Sequence, residues 1–110
     1  MSYSPRRGDI VWLKFDPHAG HEQAGHRPAL VLSPEAYNRR TDLAIFCPIS
    51  SQVKGYPFEV PIPKGSKVSG VILSDQVKSL DWKARSARFC CRLDPSTFSE
   101  VTGKLGTLLS

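Results

Sequence analysis

The segment Gly20-His21-Glu22-Gln23-Ala24-Gly25-His26-Arg27-Pro28-Ala29-Leu30-Val31-Leu32 decides the fold. Its polar, glycine-bearing first part runs directly into Ala29–Ser33, a short apolar run of the kind a strand shows when both its faces are covered. Upstream, Ile10-Val11-Trp12-Leu13-Lys14-Phe15 reads as a first strand, ended by Asp16-Pro17, so residues 17–27 form a long polar loop between two strands. Downstream, Pro34–Asn38 suits a single helical turn. Leu43–Ile49 reads as a third strand in which Pro48, lacking an N–H, predicts an edge position or a bulge. A second polar loop covers 52–57. Phe58–Ile62 then alternates as a strand with one face exposed. Gly70–Leu73 and Gln76–Leu80 are further strands parted by Ser74-Asp75, and Arg88–Arg92 is placed to close the sheet.

The C-terminus changes period. Asp94 followed by Pro95 is an N-cap with proline at the first helical position. Phe98, Val101, Leu105, Leu108 and Leu109 then recur at helical spacing, a stripe for the core or a subunit contact. Gly103 and Gly106 each cost about 1 kcal/mol relative to alanine, so packing must hold this helix. Closely spaced strands with a terminal helix predict a mainly β domain built on a small, strongly bent sheet or barrel.

The 110 residues fit one domain, 1–110, with 40% hydrophobic residues to fill a modest core. So small a domain gains from dimerisation. Fifteen Lys and Arg against ten Asp and Glu give a net charge of +5, a balance that favours a polyanionic partner such as nucleic acid. The N-terminus has no apolar segment of a secretory signal, and no apolar run approaches the roughly 18 residues of a membrane span. Of three cysteines, Cys90 and Cys91 are adjacent and poorly placed to bridge each other, which fits free thiols in a reducing cytosol.

The two loops bring a guanidinium, hydroxyls, a carboxylate, imidazoles and an ammonium to strand ends, an inventory suited to chemistry on phosphate. His18, His21 and His26 lie in a loop with no fixed face and no cysteine beside them to complete a tetrahedral set, so no metal site is expected.

The ordered motifs Arg7-Gly8-Asp9-Ile10-Val11-Trp12, Glu22–Ala29, Val31-Leu32-Ser33-Pro34, Lys54-Gly55-Tyr56-Pro57-Phe58-Glu59-Val60, Asp75–Ser79 and Trp82-Lys83-Ala84-Arg85 resemble the MazF, or PemK, family of toxin ribonucleases. The match spans about residues 7–88. The resemblance implies an SH3-like, partly open barrel with a C-terminal helix, forming a symmetric homodimer. It implies metal-independent, sequence-specific cleavage of single-stranded mRNA, and a cognate antitoxin whose disordered C-terminal segment blocks the RNA site. The family's catalytic arginine falls on Arg27 and its hydroxyl residue on Ser50. The family usually carries threonine there. Serine keeps the hydroxyl and loses the β-branch that fixes its rotamer, and Ser51 is an alternative bearer of the role.

Cleavage by the ribose 2′-OH leaves a 2′,3′-cyclic phosphate and a 5′-hydroxyl. It requires a base, stabilisation of charge on the phosphoryl oxygens and a proton for the leaving oxygen. Arg27 suits the second task. For the base the order is Glu22, then His26, then Arg27, whose pKa above about 12 makes it the harder assignment. Lys54 adds positive potential. Gln23, Gln52, Gln76 and Lys78 offer groups for unstacked base edges, and Trp12, Phe15 or Tyr56 offer stacking surfaces. Against these stand plainer readings: Arg27 as an ordinary surface arginine, Ser50-Ser51 as a turn, Glu22 as a structural partner of Arg27 or Lys54. A non-enzymatic alternative is a CcdB-like toxin that binds DNA gyrase on the same fold, but the two loop motifs follow the ribonuclease branch.

Overall fold

The computed structural model describes residues 3–14 and 26–110. Seven strands and two helices follow in the order β1 (Asp9–Lys14), β2 (His26–Val31), α1 (Glu35–Thr41), β3 (Leu43–Ser50), β4 (Glu59–Pro61), β5 (Val71–Leu73), β6 (Lys78–Asp81), β7 (Arg88–Arg92) and α2 (Pro95–Leu109). All pairings are antiparallel. The strand order is β4-β5-β3-β2-β1-β7, with β6 also on β3, so the sheet is open, with β4 and β7 at its ends. A mainly β, partly open architecture with a C-terminal helix is thus what the chain forms.

The central strands are apolar on both faces because each face covers a core. Ile10, Leu30, Cys47 and Ile49 join Val60, Ile62, Val68, Ile72, Leu93 and Val101 on one side. Val11, Leu13, Ala29, Val31, Ala44, Phe46 and Trp82 form the other. The continuous run Ala29-Leu30-Val31, fully buried at every position, is this arrangement seen in sequence. Truncating Leu30 to alanine would cost about 2–5 kcal/mol.

Two expectations need correction. Pro48 lies in an interior strand, flanked by β2 on one side and by β6 and β5 on the other. The Leu32 N–H donates to the Ile45 carbonyl at 2.8 Å. By alternation Cys47 then bonds toward β2, and the Pro48 nitrogen points the other way. There β6 ends at Phe46/Lys78 and β5 begins at Ile49/Ile72, so the missing N–H faces the gap between two partners. The single turn expected at 34–38 is instead the two-turn helix α1. Asn38, fully buried, donates through Nδ2 to the carbonyls of Pro5 and Ser33 and accepts from Ser33 Oγ, which anchors the helix. Asp42 ends it in a left-handed conformation, its N–H returning to Asn38 O.

β2 begins at His26, earlier than the apolar run, since Arg27 and Pro28 pair with Leu13 and Trp12 of β1. In α2 the Asp94 side chain accepts from the Thr97 N–H at 3.0 Å, the expected cap. Only the first part of its stripe is packed: Val101 is buried and Phe98 half-buried, while Leu108 and Leu109 are 51% and 76% exposed.

Candidate functional site

Two prolines open the sheet. The β2–β3 ladder stops at Ala29/Pro48. The next bonded pair would be Pro28 with Ile49, and Pro28 has no N–H to give. Continued by two residues, the same register brings Arg27 level with Ser50 on one face of the sheet. On β6, Lys78 sits opposite Phe46 and shares that face. A cleft of about 630 Å³ results, lined by Arg27, Ser50, Ser51, Gln52, Gln76 and Lys78 together with apolar groups of Pro28, Pro48, Ile49 and Leu73.

Six of the residues singled out from sequence therefore meet in one cleft. His26 and Lys54 are exposed and do not line it. Glu22 and Gln23, with Phe15, His18 and His21, lie outside the described residues. No described Asp, Glu or His lines the cleft, so its described polar groups are cations, hydroxyls and amides.

Arg27 is exposed and its side chain makes no hydrogen bond or ion pair to any described residue, which leaves its fork of donors open to a ligand. Ser50 is half-buried. Its Oγ accepts the Gln52 N–H at 3.0 Å, while its own proton reaches the Gln52 carbonyl only at 3.4 Å and is loosely held. The turn reading of Ser50 and a chemical role are thus compatible: the same bond that makes the turn fixes the hydroxyl. Burial pushes the Cys47 thiol up to about 12, and burial with a contact to Cys91 pushes Cys90 up to about 11. All three cysteines are free. Trp82 is spent on structure, its Nε1 donating to the Asn38 carbonyl, whereas Tyr56, in the 52–57 loop, is 62% exposed.

Sequence reasoning missed Ser69, which lines the cleft, and Gly70, which packs against Ser50 just ahead of β5. Gly70 has φ +118°, and a Cβ there would overlap the Ser50 carbonyl and lie 3.1 Å from Ser51 Cα. A glycine opening an apolar run was the available signal.

A cationic, hydroxyl-bearing cleft at a split in an open antiparallel sheet defines a small β-barrel-like protein equipped to hold a phosphodiester. The sequence profile described as the PemK-like, MazF-like toxin of type II toxin–antitoxin systems matches residues 6–109, and the chain belongs to this family. The "Endoribonuclease toxin MazF" of Escherichia coli K12 is 46% identical over 107 residues, covering 97% of this chain and 96% of that one. "Endoribonuclease PemK" of Escherichia coli is 37% identical, covering 94% and 81%. MazF of Deinococcus radiodurans superposes with a TM-score of 0.89 at 54% identity over 98% of each chain. A MazE–MazF structure from the same organism gives 0.89 at 48% identity, over 99% of this chain and 98% of that chain.

Proposed function

We propose that this chain is an endoribonuclease toxin that cuts single-stranded mRNA at specific sequences without a metal and is neutralised by a cognate antitoxin. The observation that carries the reading is the meeting of Arg27 and Ser50 across β2 and β3, in a cleft floored by prolines and flanked by Lys78. Near-full-length similarity to named endoribonucleases, and to a toxin solved with its antitoxin MazE, supports the same reading.

In this mechanism the RNA phosphate sits between Arg27 and Ser50. The guanidinium donates two parallel hydrogen bonds to the non-bridging oxygens, and Ser50 Oγ–H gives another. The ribose 2′-OH, deprotonated by Glu22, attacks phosphorus. Charge gained by the phosphoryl oxygens is met by Arg27 and by the potential of Lys78 and Lys54. The P–O5′ bond breaks, the 5′-oxygen takes up a proton from water while Glu22 returns the one it accepted to solvent, and a 2′,3′-cyclic phosphate remains. Gln52 and Gln76 read base edges, Ser51 and His26 contact the strand, and Tyr56 offers a stacking face. Gln23 is a further group for base edges in this reading.

The chain acts as a homodimer in this reading. An apolar groove of about 530 Å³ between α2 and the sheet, lined by Leu32, Ile45, Val77, Phe98, Leu105 and Leu109, is the surface that supports it. No helix among the described residues is long and apolar enough to cross a membrane.

The test is incubation of the purified protein with a long single-stranded RNA in EDTA, followed by sequencing of new 5′ ends. Cuts clustered at one short motif, with 5′-hydroxyl ends that vanish in Arg27→Ala, are expected. Intact RNA from the folded wild type would overturn the ribonuclease reading in favour of a binding toxin.

A further inference from the structure

Glu59 is a carboxylate close to the site that the chemistry does not use. It stands in β4, half-buried, and both of its oxygens are taken by backbone: Oε2 accepts the Lys54 N–H at 3.1 Å and Oε1 the Gly55 N–H at 2.9 Å. Its own N–H returns to the Tyr56 carbonyl at 3.1 Å. Gly55 has φ +83°, the conformation that turns its N–H toward the carboxylate. Two more side chains hold the far limb of the same loop. Ser74, fully buried, donates from both its N–H and Oγ to the Phe58 carbonyl, and Lys104 of α2 donates to the Pro57 carbonyl.

We infer that Glu59 is a positioning residue whose carboxylate holds the 51–58 loop in the shape that accepts RNA. The loop begins at the Ser50 hydroxyl and carries Ser51, Gln52, Lys54 and Tyr56, and its seven successive solvent-exposed residues, 51–57, have no packing to define their course. Charge-assisted bonds to two adjacent N–H groups supply that definition, because a carboxylate accepts at both oxygens and an amide does not. With both oxygens engaged, Glu59 is not free to serve as a base. The inference rests on the ribonuclease reading for its consequence and on the hydrogen bonds alone for its cause.

Two measurements on Glu59→Gln separate these. Amide hydrogen exchange at Lys54 and Gly55 should quicken at least tenfold while the β1–β3 core is unchanged. In cleavage of the wild type's preferred RNA, KM should rise about tenfold more than kcat falls, and the 5′-end profile should broaden beyond the wild-type motif. Gly55→Ala gives a second handle should Glu59→Gln fold poorly. An added Cβ there meets nothing within 4 Å, so only the backbone conformation of the loop is opposed. It should shift KM and the profile in the same direction. A folded Glu59→Gln with wild-type exchange, or with wild-type KM and profile, overturns the inference. A wild type that leaves RNA intact instead overturns the ribonuclease reading. Exchange at Lys54 and Gly55 then still decides whether the carboxylate holds the loop.

Discussion

Gly70 lies so close to Ser50 that a Cβ on the glycine would overlap the serine carbonyl oxygen and stand 2.9 Å from its carbonyl carbon. The pairing of Ser50 with Val71 and the bond from Ile62 N–H to Gly70 O fix both sides of this approach. Gly70→Ala must therefore move β5 or Ser50, and its φ of +118° adds strain of about 1–2 kcal/mol or more for any L side chain. The variant should lower the urea midpoint by a corresponding amount, and its residual folded fraction should cleave RNA more slowly than the wild type. Unchanged stability would show that the approach relaxes freely.

Arg27→Ala should lose about 3 kcal/mol of transition-state stabilisation, roughly a hundredfold or more in rate. Its melting temperature should stay within a degree or two, since the exposed side chain has no described partner to lose. Arg27→Lys should recover only part of the rate because an ammonium cannot present a planar fork. Single-turnover cleavage with a parallel thermal melt measures both.

Ser50 and Ser51 should separate cleanly. Only Ser50 has its hydroxyl fixed, by the Gln52 N–H. Ser50→Ala should slow cleavage tenfold or more, whereas Ser51→Ala should alter it less than threefold. Ser50→Thr, which retains the hydroxyl and restricts its rotamer, should be at least as active as wild type. Equal losses in the two alanine variants would shift the hydroxyl role to the pair.

The helix cap predicts an acid dependence. The side-chain and backbone donors of Thr97, with Ser96, hold the Asp94 carboxyl below its ordinary value of 3.8. A depressed folded-state pKa means that the cap's contribution is fully present above the unfolded value and is lost as pH falls through the folded one. Asp94→Ala should be less stable than wild type at pH 7, and the difference should shrink below about pH 4. Urea melts at pH 7 and pH 3 give the comparison, and a gap that widens in acid would contradict it.

Thiol chemistry offers a further check. With Cys47 pushed up to about 12 and Cys90 to about 11, both remain protonated at neutral pH. A thiolate-specific reagent should therefore label them at least tenfold more slowly in the native protein than in urea. Native labelling of Cys90 at the unfolded rate would contradict the burial described.

Much of the site was visible in the chain because its chemistry is sequential. The strand Ala29-Leu30-Val31 announced two covered faces, Asp94-Pro95 announced α2, and the family motifs located Arg27 and Ser50. Pro48 misled because a proline reports a missing N–H, not where its strand lies. A central strand tolerates one if its partners change at that residue, which only the topology of β5 and β6 reveals. The length of α1 depended on Asn38 reaching Pro5, a contact 33 residues away in sequence. Gly70 left only the signal of a glycine opening an apolar run, and Glu59 acts by hydrogen bonds to backbone, which residue type does not show.

At Pro48, β3 leaves β6 and joins β5, and the cleft occupies the fork between them. The three exposed residues that bridge this fork, Asp75, Gln76 and Val77, take no part in either ladder. The consequence is evolutionary. Here a lineage can exchange or insert residues without sacrificing a strand pair or a core contact, so the aperture of the cleft is free to drift while the barrel stays fixed. Changes of target sequence are cheapest where the sheet already comes apart.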